Sequence, residues 1–190
     1  MRVISGAAKG RPLASVPGTS TRPITDRVKE SLFNILGDAV IDARFLDLFA
    51  GTGGVGIEAL SRGAARAVFV EHNRRAIATI RENLRTTDLA KRAHVQQADV
   101  FAYLKKPPTG DFDFIYVAPP QYEGLWLDTL HALDQQPWLA PDGEIIVQIF
   151  PKELKPFELE RYTIFEERQY GSTLLVFLAR REDVDKDEAE

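Results

Sequence analysis

The stretch Phe45-Leu-Asp-Leu-Phe-Ala-Gly-Thr-Gly-Gly-Val-Gly-Ile-Glu-Ala-Leu60 decides the fold, because it joins a short apolar run to a glycine loop and then to a helical pattern. Gly51, Gly53 and Gly56 have the spacing G-x-G-x-x-G directly after the predicted strand. Glycine permits positive φ in such a turn and lets a ligand approach the backbone. Glu71 ends the next apolar run, where a carboxylate can accept hydrogen bonds from ribose hydroxyls. The stretch therefore predicts a nucleotide-type site at the carboxyl end of a parallel sheet.

Short apolar runs alternate with amphipathic patterns along the rest of the chain. The runs predicted as strands are 45–49, 67–71, 94–97, 112–117, 144–150, 162–168 and 173–179. Helical spacing lies between them, as at Ile77, Ile80 and Leu84. This alternation predicts an α/β fold with a doubly wound parallel sheet covered by helices on both faces. Only residues 169–172 separate the last two runs, so these are predicted to form an antiparallel hairpin.

The two ends of the chain depart from this pattern. Residues 3–6 and 11–13 are short strand-like pieces, so residues 1–22 are predicted to be a basic extension that contains a small β-hairpin. Thr25 is a good N-cap and Gly37 a good C′ glycine, which predicts a helix between them at the start of the main domain, residues 23–180. Residues 181–190 hold six acidic and two basic residues, which predicts a disordered acidic tail.

Composition excludes several classes of protein. The chain has 190 residues, 44% of them hydrophobic and 27% charged, which is typical of a folded domain. It contains no cysteine, so disulfide scaffolds, cysteine nucleophiles and thiolate zinc sites are excluded. The three histidines lie in no metal-binding spacing, and we expect no metal. The N-terminus lacks the apolar run of a signal peptide and no run could span a bilayer, so we expect a cytoplasmic protein without membrane contact.

Basic residues are concentrated at the N-terminus. The net charge of the chain is −4, yet the first 35 residues hold six basic and two acidic residues. Such a cluster can steer a protein toward phosphate, although an ordinary solvated surface can have the same composition. The candidates for contact with nucleic-acid phosphates are Arg2, Lys9, Arg11, Arg22, Arg27 and Lys29. Arg22 and Lys29 have a second interpretation, as residues that cover a cofactor.

The glycine loop by itself fits either a dinucleotide or S-adenosylmethionine, and two carboxylates favour the second. Asp47 lies at the end of the first predicted strand, where it suits the cationic amino end of a methionine moiety and would repel a pyrophosphate. Asp99 follows the third strand, where it can accept from an adenine amino group while Val100 offers its backbone amide. Together with Glu71, three acceptors follow three successive strands, at the edge where open α/β sheets bind ligands.

A proline-rich turn, Ala118-Pro-Pro-Gln-Tyr122, follows the fourth predicted strand. Each proline restricts φ and lacks an N–H group, so the turn presents carbonyl oxygens with few competing donors. Acceptors of this kind suit a substrate amino group. A simple chain-reversing loop is the alternative interpretation.

The sequence resembles the bacterial 16S ribosomal RNA guanine-N2 methyltransferases, a family of S-adenosylmethionine-dependent enzymes of the Rossmann-like class. The resemblance covers roughly residues 1–180 and rests on six segments. They are Arg-Val-Ile-Ser-Gly at 2–6 with Lys-Gly-Arg at 9–11, the long motif Thr-Arg-Pro-Ile-Thr-Asp-Arg-Val-Lys-Glu-Ser-Leu-Phe-Asn-Ile-Leu at 21–36, Leu-Asp-Leu-Phe-Ala-Gly-Thr-Gly at 46–53, Glu-Ala-Leu-Ser-Arg-Gly-Ala at 58–64 and Phe-Val-Glu at 69–71. The long motif is far more specific than the glycine loop.

The resemblance implies the strand order 3-2-1-4-5-7-6 with the seventh strand antiparallel. It also implies methyl transfer from S-adenosylmethionine to the exocyclic N2 of a guanine, with the small ribosomal subunit or an assembly intermediate as partner and a monomeric enzyme. The expected cofactor residues are Asp47, Phe49, Ala50, Gly51, Thr52, Gly53, Gly56, Glu71, His72, Asp99 and Val100. The expected catalytic residues are Ala118, Pro119, Pro120, Gln121 and Tyr122.

The sequence departs from the family at one site. Related amino-directed enzymes carry Asp or Asn, then Pro-Pro, then Tyr or Phe, whereas this chain has Ala118 and Gln121 at the outer positions, with Tyr122 one place later. Gln121 can replace the lost acceptor with its amide oxygen. Two alternatives stay open: a methyltransferase for a different nucleic-acid or protein amino group, and an inactive protein that binds the cofactor and RNA. A nicotinamide dehydrogenase is disfavoured by Asp47.

Overall fold

The computed structural model describes residues 1–18, 24–108 and 110–187. Its strands are β1 (Arg44–Leu48), β2 (Arg66–Glu71), β3 (Ala93–Gln97), β4 (Phe112–Val117), β5 (Leu139–Ile149), β6 (Tyr162–Tyr170) and β7 (Thr173–Arg180). Its α-helices are α1 (Asp26–Leu36), α2 (Gly54–Ser61), α3 (Arg74–Thr86), α4 (Val100–Leu104), α5 (Leu125–Asp134) and α6 (Arg181–Asp187). The chain divides into two compact units, Met1–Val100 and a second that begins at Phe101, and each is described by itself.

The seven strands form one sheet in the order β3-β2-β1-β4-β5-β7-β6. Strands β1, β2 and β3 pair in parallel, as do β4 and β5, whereas β7 runs antiparallel to both β5 and β6. This confirms the predicted strand order and the helix-free pairing of the last two strands. No helix among residues 1–18, 24–108 and 110–187 is long and apolar enough to cross a membrane.

In the first unit, helix α1 has the ends that the sequence predicts. The Thr25 hydroxyl oxygen accepts a hydrogen bond from the Val28 N–H at 3.3 Å, and Gly37 ends the helix with φ of 53°. Strand β1 stops one residue earlier than predicted, because Phe49 adopts φ of 58° and leaves the extended conformation. Helices and strands of this unit bury a core that includes Phe33 and Phe45, whose rings stack at 6.3 Å.

The structure does not contain the predicted N-terminal β-hairpin. Arg2 and Pro12 form a single antiparallel bridge, and no strand is assigned within residues 1–18. Hydrogen bonds between the Val3 N–H and the Arg11 carbonyl, and between the Gly10 N–H and the Val3 carbonyl, close this short segment on itself. The boundary predicted at residue 22 lies outside the described residues.

In the second unit, β5, β6 and β7 run longer than the apolar pattern predicts, whereas β4 has the predicted bounds. Strand β5 begins at Leu139 rather than 144, and its pairing with β4 shifts register between Phe112 and Phe114. Pro141 and Asp142 interrupt the apolar run there, which hides the early part of the strand from a pattern search. The tail predicted to be disordered over 181–190 differs over its first seven residues, which form helix α6 after β7.

Candidate active site

The glycine loop joins β1 to α2, and each of its glycines has a structural requirement. Gly51 and Gly53 adopt φ of 56° and 74°, the left-handed region that side chains rarely enter. Gly56 lies in the first turn of α2, where an added Cβ would come within 2.4 Å of the Phe69 ring on β2. The first two glycines therefore shape the loop, and the third lets the helix approach the sheet closely.

Two carboxylates hold the loop through its backbone. The Asp47 Oδ2 atom accepts a hydrogen bond from the Gly56 N–H at 3.0 Å, and the Glu71 Oε2 atom accepts one from the Gly51 N–H at 2.9 Å. The other Glu71 oxygen accepts from the backbone N–H groups of His72 and Asn73 at 2.9 and 2.8 Å. The sequence predicts these carboxylates as ligand acceptors only. The structure adds that both position the loop.

Asp47 lies in an environment that penalises its charge. Only 2% of the residue is exposed, and burial raises the pKa of its carboxyl from 3.8 to about 8, an effect that the Gly56 N–H opposes and the nearby Glu71 reinforces. Near neutral pH the group therefore binds a proton in the ligand-free protein. A cationic ligand group beside it would stabilise the ionised form, because an opposite charge lowers the pKa of an acid.

The other residues predicted to bind the cofactor lie around this loop and the neighbouring strand ends. Glu71 pairs in register with Gln97, so Asp99 follows two residues beyond that pair, exposed, immediately before α4. The burial of the other predicted cofactor residues varies. Phe49 and Gly51 are partly exposed, His72 is exposed, and the buried ones are Ala50, Thr52, Gly53, Gly56 and Val100. The three predicted acceptors thus belong to successive strand ends of the same unit.

The N-terminal segment is fastened to α2 by one carboxylate that the sequence analysis missed. Glu58 is fully buried and accepts hydrogen bonds from the Ile4 and Ser5 N–H groups at 2.8 and 3.0 Å. The Lys29 Nζ atom, also fully buried, lies 3.4 Å from Glu58 and donates to the Arg2 carbonyl at 2.6 Å. Lys29 is therefore a structural cation, and its prediction as an RNA-phosphate contact is wrong.

The remaining basic candidates fall into two groups. Arg2, Lys9, Arg11 and Arg27 are exposed, as phosphate contacts require. Arg2 lies 3.5 Å from Asp26, and Arg11 donates to the carbonyl of Thr86 at 2.7 Å. Arg22 lies outside the described residues.

Asn83 links the N-terminal segment to the glycine loop. This side chain on α3 is 1% exposed, and its oxygen accepts from the Ala14 N–H at 2.7 Å. Its amide nitrogen donates to the Ala14 carbonyl at 3.2 Å and to the Thr52 carbonyl at 2.9 Å. The sequence signal was an asparagine on the apolar face of a predicted helix, which is informative because buried amides need partners.

The predicted catalytic turn lies in the second unit, after β4. Pro119 is buried and Ala118 is partly exposed, whereas Pro120, Gln121 and Tyr122 are exposed. Tyr122 adopts φ of 61°, and its N–H donates to the Glu153 Oε1 atom at 2.7 Å. The turn therefore presents its second half to solvent and is held from the segment that follows β5.

Comparison with known proteins identifies the family. The model of the family described as conserved hypothetical protein 95 matches residues 1–179. The Bacillus subtilis protein named "Putative rRNA methyltransferase YlbH" is 41% identical over 184 residues, which covers 95% of this chain and all of that protein. Ribosomal RNA small subunit methyltransferase D of Escherichia coli strain K12 is 38% identical over 148 residues, 78% of this chain and 74% of that protein.

A solved structure gives the same result. The Escherichia coli protein described as "Putative methyltransferase yhhF" superposes with a TM-score of 0.83 at 34% identity, over 95% of this chain and 97% of that one. Fold, glycine loop and sequence similarity therefore agree over nearly the whole chain. The chain belongs to the conserved hypothetical protein 95 family of S-adenosylmethionine-dependent methyltransferases, whose members include homologues of the 16S ribosomal RNA guanine-N2 methyltransferases.

Proposed function

We propose that this protein transfers a methyl group from S-adenosylmethionine to the exocyclic N2 of a guanine in 16S ribosomal RNA. The observation that carries the proposal is the similarity to the small subunit methyltransferase D proteins, together with a glycine loop held by two carboxylates. A ribosomal substrate implies a cytoplasmic enzyme whose partner is the small subunit or an assembly intermediate. We propose that it acts as a monomer.

The residues at the glycine loop fit the methyl donor by their chemistry. We propose that Asp47 accepts from the cationic amino group of the donor, that Glu71 uses its remaining acceptor capacity for ribose hydroxyls, and that Asp99 accepts from the adenine amino group. Phe49, Ala50, Thr52, His72 and Val100 complete the proposed set at the loop and the adjacent strand ends. S-adenosylmethionine, when bound, supplies a methyl group already activated on a sulfonium.

Loss of one acceptor should weaken donor binding. Glu71→Ala removes the acceptor of the Gly51 N–H as well as the proposed ribose contact, so we expect a loss of about 1–3 kcal/mol in donor affinity. Glu82→Ala, a change at an exposed residue of α3, is the matched control. Calorimetry of folded variants tests this expectation, and equal affinity of the Glu71 variant and the parent would contradict the placement of the donor.

The chemistry at the substrate depends on orientation. The lone pair of a guanine amine is delocalised into the ring, so the protein must hold the nitrogen at attack distance and angle. We propose that the backbone carbonyls of Ala118 and Pro119 and the Gln121 amide oxygen accept from the amine, while Pro120 restricts the turn and Tyr122 stacks on the base. The proton leaves to water, because a methylated ammonium is acidic.

Exposed cations of the N-terminal segment are proposed to bind RNA phosphates. Lys9 and Arg11 are exposed and lie on a segment that hydrogen bonds to Glu58 fasten to α2. Replacing both by Ala should weaken RNA binding and reduce the slope of log affinity against log salt by roughly one per lost contact. An unchanged slope would indicate that these two residues are ordinary solvated surface charges without phosphate contacts.

Ala118 favours a second candidate, a protein that binds donor and RNA without catalysis. The deciding experiment incubates purified protein and labelled donor with small subunits from a strain that lacks this protein, followed by mass spectrometry of the digested RNA. We expect N2-methylguanosine, and we expect Gln121→Ala to lower the rate by roughly tenfold to a thousandfold without a change in donor affinity. No product from the parent, with product restored by Ala118→Asp, would support the inactive protein.

A further inference from the structure

We infer that Tyr122 is a preorganised stacking platform for an unpaired purine base of RNA and that Glu153 is the residue that positions it. This inference rests on the proposed function and adds two residues to it, Glu153 and Phe150. All three residues lie in the second unit, on the segments that follow β4 and β5. Neither Glu153 nor Phe150 belongs to a motif that the sequence analysis identified.

The first observation is the backbone of Tyr122. Its φ of 61° lies in the left-handed region, which is an outlier for a bulky side chain. Among the described non-glycine residues with positive φ, three are Asp, and the other two are Phe49 and Tyr122. Phe49 is next to the glycine loop and Tyr122 ends the proposed substrate turn. Residues held in such conformations cluster at binding sites and persist only where their surroundings enforce them.

The second observation identifies what enforces this conformation. The Glu153 Oε1 atom accepts from the Tyr122 N–H at 2.7 Å, and the Glu153 Oε2 atom accepts from the Phe150 N–H at 3.0 Å. The Glu153 N–H in turn donates to the Phe150 carbonyl at 3.0 Å. One carboxylate thus joins the backbone at Tyr122 to the backbone at Phe150, because each of its oxygens accepts from a different N–H group.

The third observation concerns the two rings. Tyr122 and Phe150 stack with centroids 5.1 Å apart and planes 24° apart, so Phe150 supports one face of the tyrosine ring. Tyr122 is nevertheless 66% exposed, so much of its surface away from Phe150 is accessible to a ligand. The residues on either side in sequence, Gln121 and Glu123, are exposed and polar.

A rigid ring with accessible surface suits a flat ligand. Sequence-specific RNA recognition commonly stacks unpaired bases on aromatic side chains, and a platform ordered before binding avoids the entropy cost of ordering it afterwards. Purines offer the larger stacking surface, and the neighbouring turn carries the acceptors proposed for a guanine amine. Glu153 does not contact the base in this arrangement. It acts through the position of Tyr122.

The test uses the full protein and a short single-stranded RNA that carries one 2-aminopurine, whose fluorescence falls on stacking. We expect the parent and Tyr122→Phe to quench it and Tyr122→Leu to bind roughly tenfold more weakly with little quenching. Glu153→Gln keeps one acceptor oxygen but turns an amide toward the other N–H, so we expect roughly threefold to tenfold weaker binding. Glu158→Gln, a change at an exposed residue of the same segment, should match the parent.

A double-mutant cycle separates positioning from a general structural effect. If Glu153 acts through the ring, Glu153→Gln should add no further loss of RNA affinity in the Tyr122→Leu background, and donor affinity should stay at the parent value in both single variants. Additive losses, unchanged binding by Glu153→Gln, or absence of quenching by the parent would each overturn the inference. If Glu153→Gln does not fold, the comparison of Tyr122→Phe with Tyr122→Leu still decides whether the ring stacks.

Methyl transfer to small subunits, measured on the same preparations, distinguishes this inference from the proposed function. Quenching that depends on the Tyr122 ring, without methyl transfer, would support the platform and contradict the enzyme. Methyl transfer without such quenching would support the enzyme and contradict the platform.

Discussion

The buried ion pair of Lys29 and Glu58 predicts an asymmetric response to mutation. Both side chains are fully buried, and their charged atoms lie 3.4 Å apart. Glu58 has further partners, since Arg62 lies 2.9 Å away and two backbone N–H groups donate to the carboxylate. Besides its contact with Glu58, the Lys29 Nζ atom donates to the Arg2 carbonyl. Burial lowers the pKa of Lys29, an effect that the Glu58 charge opposes.

The magnitudes follow from what each substitution leaves behind. Glu58→Gln leaves a buried ammonium without its carboxylate, which costs about 3–5 kcal/mol of unfolding free energy in comparable pairs. Lys29→Met leaves Glu58 with Arg62 and the two N–H groups, and methionine fills a similar volume, so we expect a loss of about 1 kcal/mol. Combining both substitutions should recover about 1–4 kcal/mol relative to Glu58→Gln, because the unpaired Lys29 ammonium is then no longer buried.

Urea unfolding at pH 7, followed by circular dichroism, measures these differences as shifts in midpoint at constant slope. Glu30→Gln, a change at an exposed residue next to Lys29 in sequence, is the control and should leave the midpoint unchanged. A loss for Lys29→Met equal to or larger than that for Glu58→Gln would refute the reasoning. Failure of the double variant to recover stability would show that the backbone bonds of Glu58, rather than the ion pair, carry its contribution.

Three further predictions concern the glycine loop and its supports. Asp47 holds a proton up to about pH 8 in the folded chain and releases it near 3.8 when unfolded. As the pH rises between those values, the unfolding free energy of the parent should therefore fall by about 1.4 kcal/mol per pH unit relative to that of Asp47→Asn. Urea unfolding at pH 5, 6 and 7 measures the difference between the two proteins, and a difference that stays constant would contradict this expectation. Gly56→Ala should cost about 1–3 kcal/mol because its Cβ would meet the Phe69 ring, and Phe69→Leu in the same chain should restore part of the thermal midpoint. Asn83→Asp loses both amide donations and should lower stability by about 1–3 kcal/mol and weaken donor binding in calorimetry, whereas Asn34→Asp, at an exposed position of α1, should do neither.

Local signals in the sequence predicted the architecture well. The Thr25 cap and Gly37 end of α1, the seven strand-forming runs and the positive φ of Gly51 and Gly53 all agree with the structure. Capping, periodicity and glycine conformation act over a few residues, so they can be read without knowing the fold. The strand order itself depended on the family resemblance, which a pattern of apolar runs does not supply.

Side-chain partners were the part that sequence could not determine. Lys29 and Lys9 belong to the same basic N-terminal cluster, so the sequence does not distinguish them. The structure buries Lys29 against Glu58, 29 residues away in sequence, whereas Lys9 is exposed. Tyr122 is held by Glu153 across 31 residues, and no local pattern pairs them.

The sequence by itself determined the fold class, the glycine loop and the family, because each depends on short segments whose conformation is local. Only the tertiary structure decided that Asp47 and Glu71 hold the loop backbone, that Asn83 ties it to Ala14, and that Glu153 sets the exposed ring of Tyr122. The physical reason is that the charge and hydrogen bonds of a side chain depend on burial and on the neighbours it meets, and those neighbours come from distant parts of the chain.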